Sequence, residues 1–181
     1  MGIDDLKIEQ LKLRSGEKWT HYSADVLPAW VADMDFEIAQ PIRTALDQCI
    51  SISDCGYPVA YKQTGLPEIF AARVQQRFDW KISPSQVDIF NDVVQAIYFG
   101  LMALSSKGDG VIIQTPIYPP FIEAVDIVQR QSIFCPLSAE RYGYEIDFDQ
   151  LRSAVTSTTR VLLLCNPHNP TGRCFSRSEL E

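Results

Sequence analysis

Apolar runs of strand length, VDIF (87–90), GVIIQT (110–115), QSIFCPL (131–137) and RVLLLC (160–165), alternate along the chain with longer stretches of helical spacing. No other feature narrows the possible folds as much. The helical stretches lie at 93–106, 119–130 and about 148–155, the last with Asp147 placed as its N-cap. The last two apolar runs are nearly continuous, the pattern of strands buried on both faces. Strand–helix–strand connections of this length predict an α/β fold, a mainly parallel sheet with flanking helices. The segment RYGYEIDFD (141–149) has room for a short hairpin.

Ahead of the alternation, residues 1–36 read as an irregular, turn-rich arm that closes on LPAWVADMDF. A helix is predicted from Ala39 to about Ser51, with Pro41 at a first-turn position and Ile42, Ala45, Leu46, Cys49 and Ile50 at helical spacing. The punctuated stretch DCGYPVAYKQTGLPEI reads as an exposed loop before another helix, roughly Pro67 to Phe78. The expected organisation is an arm and helix over 1–50 and a sheet domain over 51–181. At the far end, Ser176 and Glu179 form an S-x-x-E capping box, so a helix is expected to begin where the sequence stops. The sequence therefore reads as the front part of a longer protein.

Composition removes several classes of function. With 181 residues, 46 % apolar and 22 % charged, the chain has globular proportions and is not a disordered polymer. Its 16 basic and 23 acidic side chains give a net charge of −7, and the basic residues are scattered, which argues against a nucleic-acid partner. No apolar run approaches the roughly 18 residues of a membrane-spanning helix, and the charged start has no signal core. Five cysteines without C-x-x-C spacing and only two histidines, His21 and His168, argue against a zinc site or a disulfide framework. Reduced thiols in a cytoplasmic protein are the simplest account.

The chemistry-bearing residues lie just beyond the apolar runs. Asn166-Pro167-His168-Asn169-Pro170-Thr171-Gly172-Arg173 follows the last run directly. Its Asn-Pro pairs restrict the backbone and Gly172 permits a tight turn, giving a rigid loop at the edge where open α/β sheets bind ligands. There an amide can bond a cofactor oxygen, or the Asn side chains can simply bond their own backbone; the residues alone leave both readings open. Phe90-Asn91-Asp92-Val93-Val94 marks the passage into an apolar helix, whose first N–H groups make an anion site suited to phosphate. Asp92, as an N-cap, would satisfy some of those donors and add negative charge. Neither G-x-x-x-x-G-K nor G-x-G-x-x-G occurs, so ATP and dinucleotides lack support. In Thr115-Pro116-Ile117-Tyr118-Pro119-Pro120-Phe121 the prolines stiffen the loop, and Tyr118 either stacks on a flat heteroaromatic ligand or packs on its neighbours.

With these three loops in this order, the sequence resembles the fold-type I pyridoxal-phosphate enzymes of the aminotransferase class I/II superfamily, and within them the MalY/PatB-type cystathionine β-lyases. The resemblance is carried by Trp30-Val31-Ala32-Asp33-Met34-Asp35-Phe36, Gly56-Tyr57, Gly108-Asp109-Gly110-Val111, Thr115-Pro116-x-Tyr118 and Asn166 to Arg173, and runs from about Leu27 to the end. It implies an incomplete large domain preceded by an N-terminal arm and helix belonging to the small domain. It also implies pyridoxal 5'-phosphate as cofactor, with Asn169 bonding the phenolic oxygen, Tyr118 stacking on the pyridine ring, and the Val93 and Val94 N–H groups cupping the phosphate. Tyr57 would reach the phosphate of a neighbouring subunit, implying a homodimer, and Ala32 would bring backbone to the carboxylate of a small amino-acid substrate. Asp92 stands where relatives often carry Gly or Ser.

The resemblance places the Schiff-base lysine, the acidic partner of the ring nitrogen and the carboxylate-binding arginine beyond Glu181. Lys7, Lys12, Lys18, Lys62, Lys81 and Lys107 read as ordinary solvated lysines, so no catalytic residue is assigned within the sequence. The implied activity is C–S β-lysis of cystathionine or another cysteine S-conjugate to a thiol, pyruvate and ammonia. An aminotransferase with the same cofactor shell is the alternative, and a non-catalytic remnant serving as an interaction module is a third.

Overall fold

The computed structural model describes residues 6–140 and 143–181. The chain forms two compact units, the first ending at Ala60 and the second starting at Tyr61. In the first, the arm is more regular than expected, with single-turn helices α1 (Ile8–Leu11) and α2 (Glu17–Thr20) ahead of α3 (Gln40–Ser51). The short helices escape sequence patterning because four residues are too few to show an amphipathic period. Pro41 falls in the first turn of α3, where its missing N–H costs no hydrogen bond.

The second unit opens with α4 (Leu66–Phe78), which starts after Gly65 at φ 75° and ends on Asp79 at φ 51°. Next come α5 (Val93–Leu104), β1 (Gly110–Thr115), α6 (Pro119–Ile127) and β2 (Gln131–Pro136). An antiparallel hairpin, β3 (Ser138–Glu140) with β4 (Gly143–Glu145), precedes α7 (Phe148–Ala154), β5 (Thr159–Leu163) and α8 (Arg177–Leu180). Residues 141 and 142 of the expected hairpin lie outside the described residues. Asp147 caps α7 as expected, accepting from the N–H groups of Asp149 and Gln150.

The main sheet has the order β2-β1-β5 and is parallel throughout, with Ile112 opposite Ile133 and Leu162. Central β1 is buried on both faces. Val111 and Ile113 pack with Leu101 of α5 and with Ile117, Ala124, Val125 and Val128 of the α6 region. Burial of each Val, Leu or Ile side chain contributes about 1.5–3 kcal/mol, so this layer dominates the stability of the unit.

The structure corrects two expectations about the strands. Residues 87–90 form no strand and pair with none among the described residues, so VDIF lacks the ladder that would make it one. Neither of the last two apolar runs is covered on both faces: Phe134 of β2 is exposed, and in β5 Val161 and Leu163 face the core cluster while Leu162 and, just beyond, Leu164 are 46 % and 44 % exposed.

The direction of α5 sets the site. Arg130, just before β2, donates to the carbonyls of Leu101 and Ser105 at 3.5 and 2.5 Å, while Gln131 N–H donates to Asp109 O at 2.9 Å. The C-terminus of α5 is thereby tied to the N-terminal edge of the sheet. A helix of 12 residues is about 18 Å long and a strand of six about 20 Å, so the N-terminus of α5 arrives at the C-terminal edge.

Candidate functional site

Two loops leave the C-terminal edge from adjacent strands, 116–118 after β1 and 164–176 after β5. They are joined by a backbone hydrogen bond from Tyr118 N–H to Asn169 O at 3.1 Å. Two residues singled out from the sequence, 51 positions apart, thus meet at the edge where open α/β sheets bind ligands. The peptide bonds Thr115–Pro116, Asn166–Pro167 and Asn169–Pro170 are cis.

The two asparagines of the loop divide the roles that the sequence left open. Asn166 Oδ1 accepts from Phe175 N–H at 3.1 Å, so this side chain bonds its own loop. The Asn169 side chain is exposed and makes no hydrogen bond among the described residues; its N–H donates to Cys165 Sγ at 3.4 Å. Asn169 therefore offers its amide outward. The loop is closed by His168 N–H to Arg173 O and Gly172 N–H to His168 O, both 2.7 Å, with Gly172 at φ 73°. Arg173, which motif reasoning gave no role, ties the loop to the hairpin and α8 by donating to Tyr144 O at 3.0 Å and to Glu179 Oε1 at 2.6 Å. Its length and charge were visible in the sequence; its partners, 29 positions before and six after it, were not.

At the start of α5, Asp92 Oδ1 accepts from Gln95 N–H at 2.7 Å, and Asn91 N–H donates to Gln95 Oε1 at 3.0 Å. Asp92 is the N-cap foreseen from the sequence. It occupies the third N–H of the helix and leaves those of Val93 and Val94 without an intrahelical acceptor. Val93 is 77 % exposed and, with Asp88, Phe90, Asp92 and Ala96, lines an open depression of about 400 Å³.

Ala32 and Tyr57 belong to the first unit, where both are exposed. Ala32 sits in a segment held from either side by the arm. On one side, Trp30 packs against His21 and Tyr22 at ring-centroid distances of 4.5 and 5.9 Å. On the other, Lys18 Nζ donates to Asp33 O at 2.6 Å and to Asp35 Oδ2 at 2.7 Å, and Trp19 Nε1 donates to Asp35 Oδ1 at 2.8 Å. Arg14 Nη2 donates to Asp35 O at 2.7 Å. Lys18 is 8 % exposed, so it is no solvated surface lysine as its sequence context suggested. The Lys18 ammonium beside Asp35 holds the carboxyl below its ordinary value, with Trp19 and Arg14 acting in the same direction and burial opposing them.

The profile of the family described as aminotransferase class I and II matches residues 34–181. The chain belongs to that family. Among relatives of this aminotransferase-family chain, cystathionine β-lyase PatB of Bacillus subtilis is 35 % identical over 157 residues, 86 % of the chain and 40 % of the relative. Cystathionine β-lyase of Corynebacterium glutamicum is 32 % identical over 170 residues, 94 % of the chain and 44 % of the relative. The crystal structure of cystalysin from Treponema denticola, which contains pyridoxal 5'-phosphate, superposes with a TM-score of 0.83 at 28 % identity, covering 97 % of this chain and 45 % of cystalysin. The chain thus spans less than half the length of these aminotransferase-family proteins. Among the described residues, no helix is long and apolar enough to cross a membrane.

Proposed function

We propose that this chain is the N-terminal part of a pyridoxal-phosphate-dependent carbon–sulfur β-lyase. Its substrate would be cystathionine or another cysteine S-conjugate, converted with water to a thiol, pyruvate and ammonia. The observation that carries the reading is the pairing of Tyr118 with Asn169 at the sheet edge, which leaves an unbonded amide and a 43 % exposed aromatic residue on neighbouring loops. The lyase names of the relatives over nearly the whole chain support the reaction class.

The residues present fit the cofactor. The unpaired Asn169 amide is free to donate to the phenolic oxygen, the Tyr118 ring to stack on the pyridine face, and the N–H groups of Val93 and Val94 to bind the phosphate. Bound pyridoxal phosphate supplies the electron sink that lets a Cα–H bond break before sulfur leaves Cβ. The chain's own contribution is orientation: the Tyr118–Asn169 hydrogen bond fixes the spacing of the stacking ring and the amide. Ala32, braced between Trp30 and Asp35, presents backbone to the substrate carboxylate. Residues 51–181 form part of the cofactor-binding domain, and Tyr57 reaches the phosphate site of a second copy in a homodimer.

The test is an assay of the full-length protein with cystathionine, following pyruvate by coupled reduction. Pyruvate and homocysteine released in equal amounts are expected. Amino transfer to a keto acid without pyruvate overturns the lyase assignment.

A further inference from the structure

His168 is a buried titratable group that the chemistry above does not use. Its side chain is 1 % exposed, between Asn166-Pro167 and the Asn169 that faces out. The parallel ladder of β1 and β5 ends at Ile113 opposite Leu163, one residue short of Gln114. Beyond that point β1 runs on to Thr115 against β2, while the loop after β5 begins. Thr171 Oγ1 lies 3.3 Å from His168 Nδ1, while the ring packs edge-on against Phe175 at 6.1 Å and 80°. Among the described residues, Nε2 has no partner at hydrogen-bonding geometry, nor has the buried Oε1 of Gln114. The histidine backbone closes the loop through Arg173 and Gly172 on both its N–H and its carbonyl.

We infer that His168 is a positioning residue for Asn169: its buried imidazole is the root on which the 166–173 loop is built, and the bond to Thr171 sets the direction in which the next side chain points. An imidazole suits the place because it fills an aromatic-sized space against Phe175 and still presents a polar nitrogen to Thr171. A leucine would keep the volume and lose that bond. The Asn169 carbonyl would then shift relative to Tyr118 N–H, moving the amide and the stacking ring together. The inference rests on the role of Asn169 in the proposed function.

The experiment uses the full-length protein loaded with pyridoxal phosphate, comparing wild type, H168L, H168N, T171A and N169A. The readouts are cofactor dissociation constant, the pH midpoint of the bound cofactor's visible absorbance, and melting temperature. A hydrogen bond to the phenolic oxygen is worth about tenfold in affinity and about one pH unit in that midpoint. H168L is expected to lose most of this, T171A part of it, and H168N, which keeps a polar atom near Thr171, to restore it. A midpoint that N169A moves while H168L and T171A leave it at the wild-type value overturns the role of His168 alone. If H168L does not fold, T171A decides by the same criterion. A midpoint indifferent to N169A overturns the reading of Asn169 and this inference with it.

Discussion

Asp35 shows how much one carboxylate can organise. It accepts from Lys18 Nζ and Trp19 Nε1 with its side chain and from Arg14 with its carbonyl, joining three arm residues to the segment that contains Ala32. Replacing it with Asn leaves Lys18 buried without its counter-charge, so D35N should cost about 1–3 kcal/mol, measured by urea unfolding followed by tryptophan fluorescence. Trp19 and Trp30 both report on this unit. Because the folded pKa of Asp35 is depressed, its contribution is complete well above pH 4 and is lost as pH falls from there through its folded value. His168 acts in a different window. Burial pushes its imidazole below the ordinary value, with the Gln114 backbone opposing, so the unfolded chain takes up a proton near pH 6.5 before the folded chain does. Stability should therefore fall as pH drops below about 6.5, and H168N should flatten that slope. Little of this was legible in the sequence. Lys18 and Asp35 are 17 positions apart in a stretch without periodicity. Which asparagine of the loop would bond its own backbone depended on tertiary placement that composition does not encode.

Elements with local signals were more legible. Asp147 before α7, the Ser176–Glu179 box of α8 and Pro41 in α3 act through neighbours within a few residues, so their hydrogen bonds are written in the sequence. The 87–90 segment shows the limit, because a strand exists only with a partner and nothing in the four residues says whether one is present. The N-terminus of α5 carries a prediction of its own. Asp92 caps the helix well but places a carboxylate where the proposed reading brings phosphate. Asn caps about as well as Asp and lacks the charge. D92N should therefore leave the melting temperature within a few degrees and tighten cofactor binding by about two- to fivefold. Titration of the cofactor's absorbance checks this; unchanged or weaker binding would separate the phosphate from this helix end.

At the scale of the molecule, the parallel sheet is covered on both faces at its central strand, where Val111, Ile112, Ile113 and Gln114 are all buried, and is left open at its edge strands. Helices α5 and α6 cover the face carrying Val111, Ile113, Val161 and Leu163. On the opposite face of β5, Leu162 and Leu164 are exposed, and at the other edge Phe134 of β2, level with Ile113 on the helix-covered side, is exposed as well. An apolar groove of about 520 Å³ among Leu66, Phe70, Trp80, Val87 and Phe90 adds to this uncovered area. Monomeric proteins rarely leave such surfaces to water, because each buried apolar side chain is worth more than a kilocalorie per mole. The 181-residue chain expressed alone should accordingly self-associate and bind a hydrophobic dye. Leu162 and Leu164 sit on the solvent side of β5, an edge strand among the described residues, so lysines there keep the strand's backbone pairing with β1 intact while charging its exposed side. The double variant L162K/L164K should shift the isolated chain toward monomer in analytical ultracentrifugation with its far-UV circular dichroism unchanged. In the full-length protein the same pair should lower stability if that face is covered there. Loss of secondary structure in the isolated variant would instead show that the two leucines hold the sheet together from within.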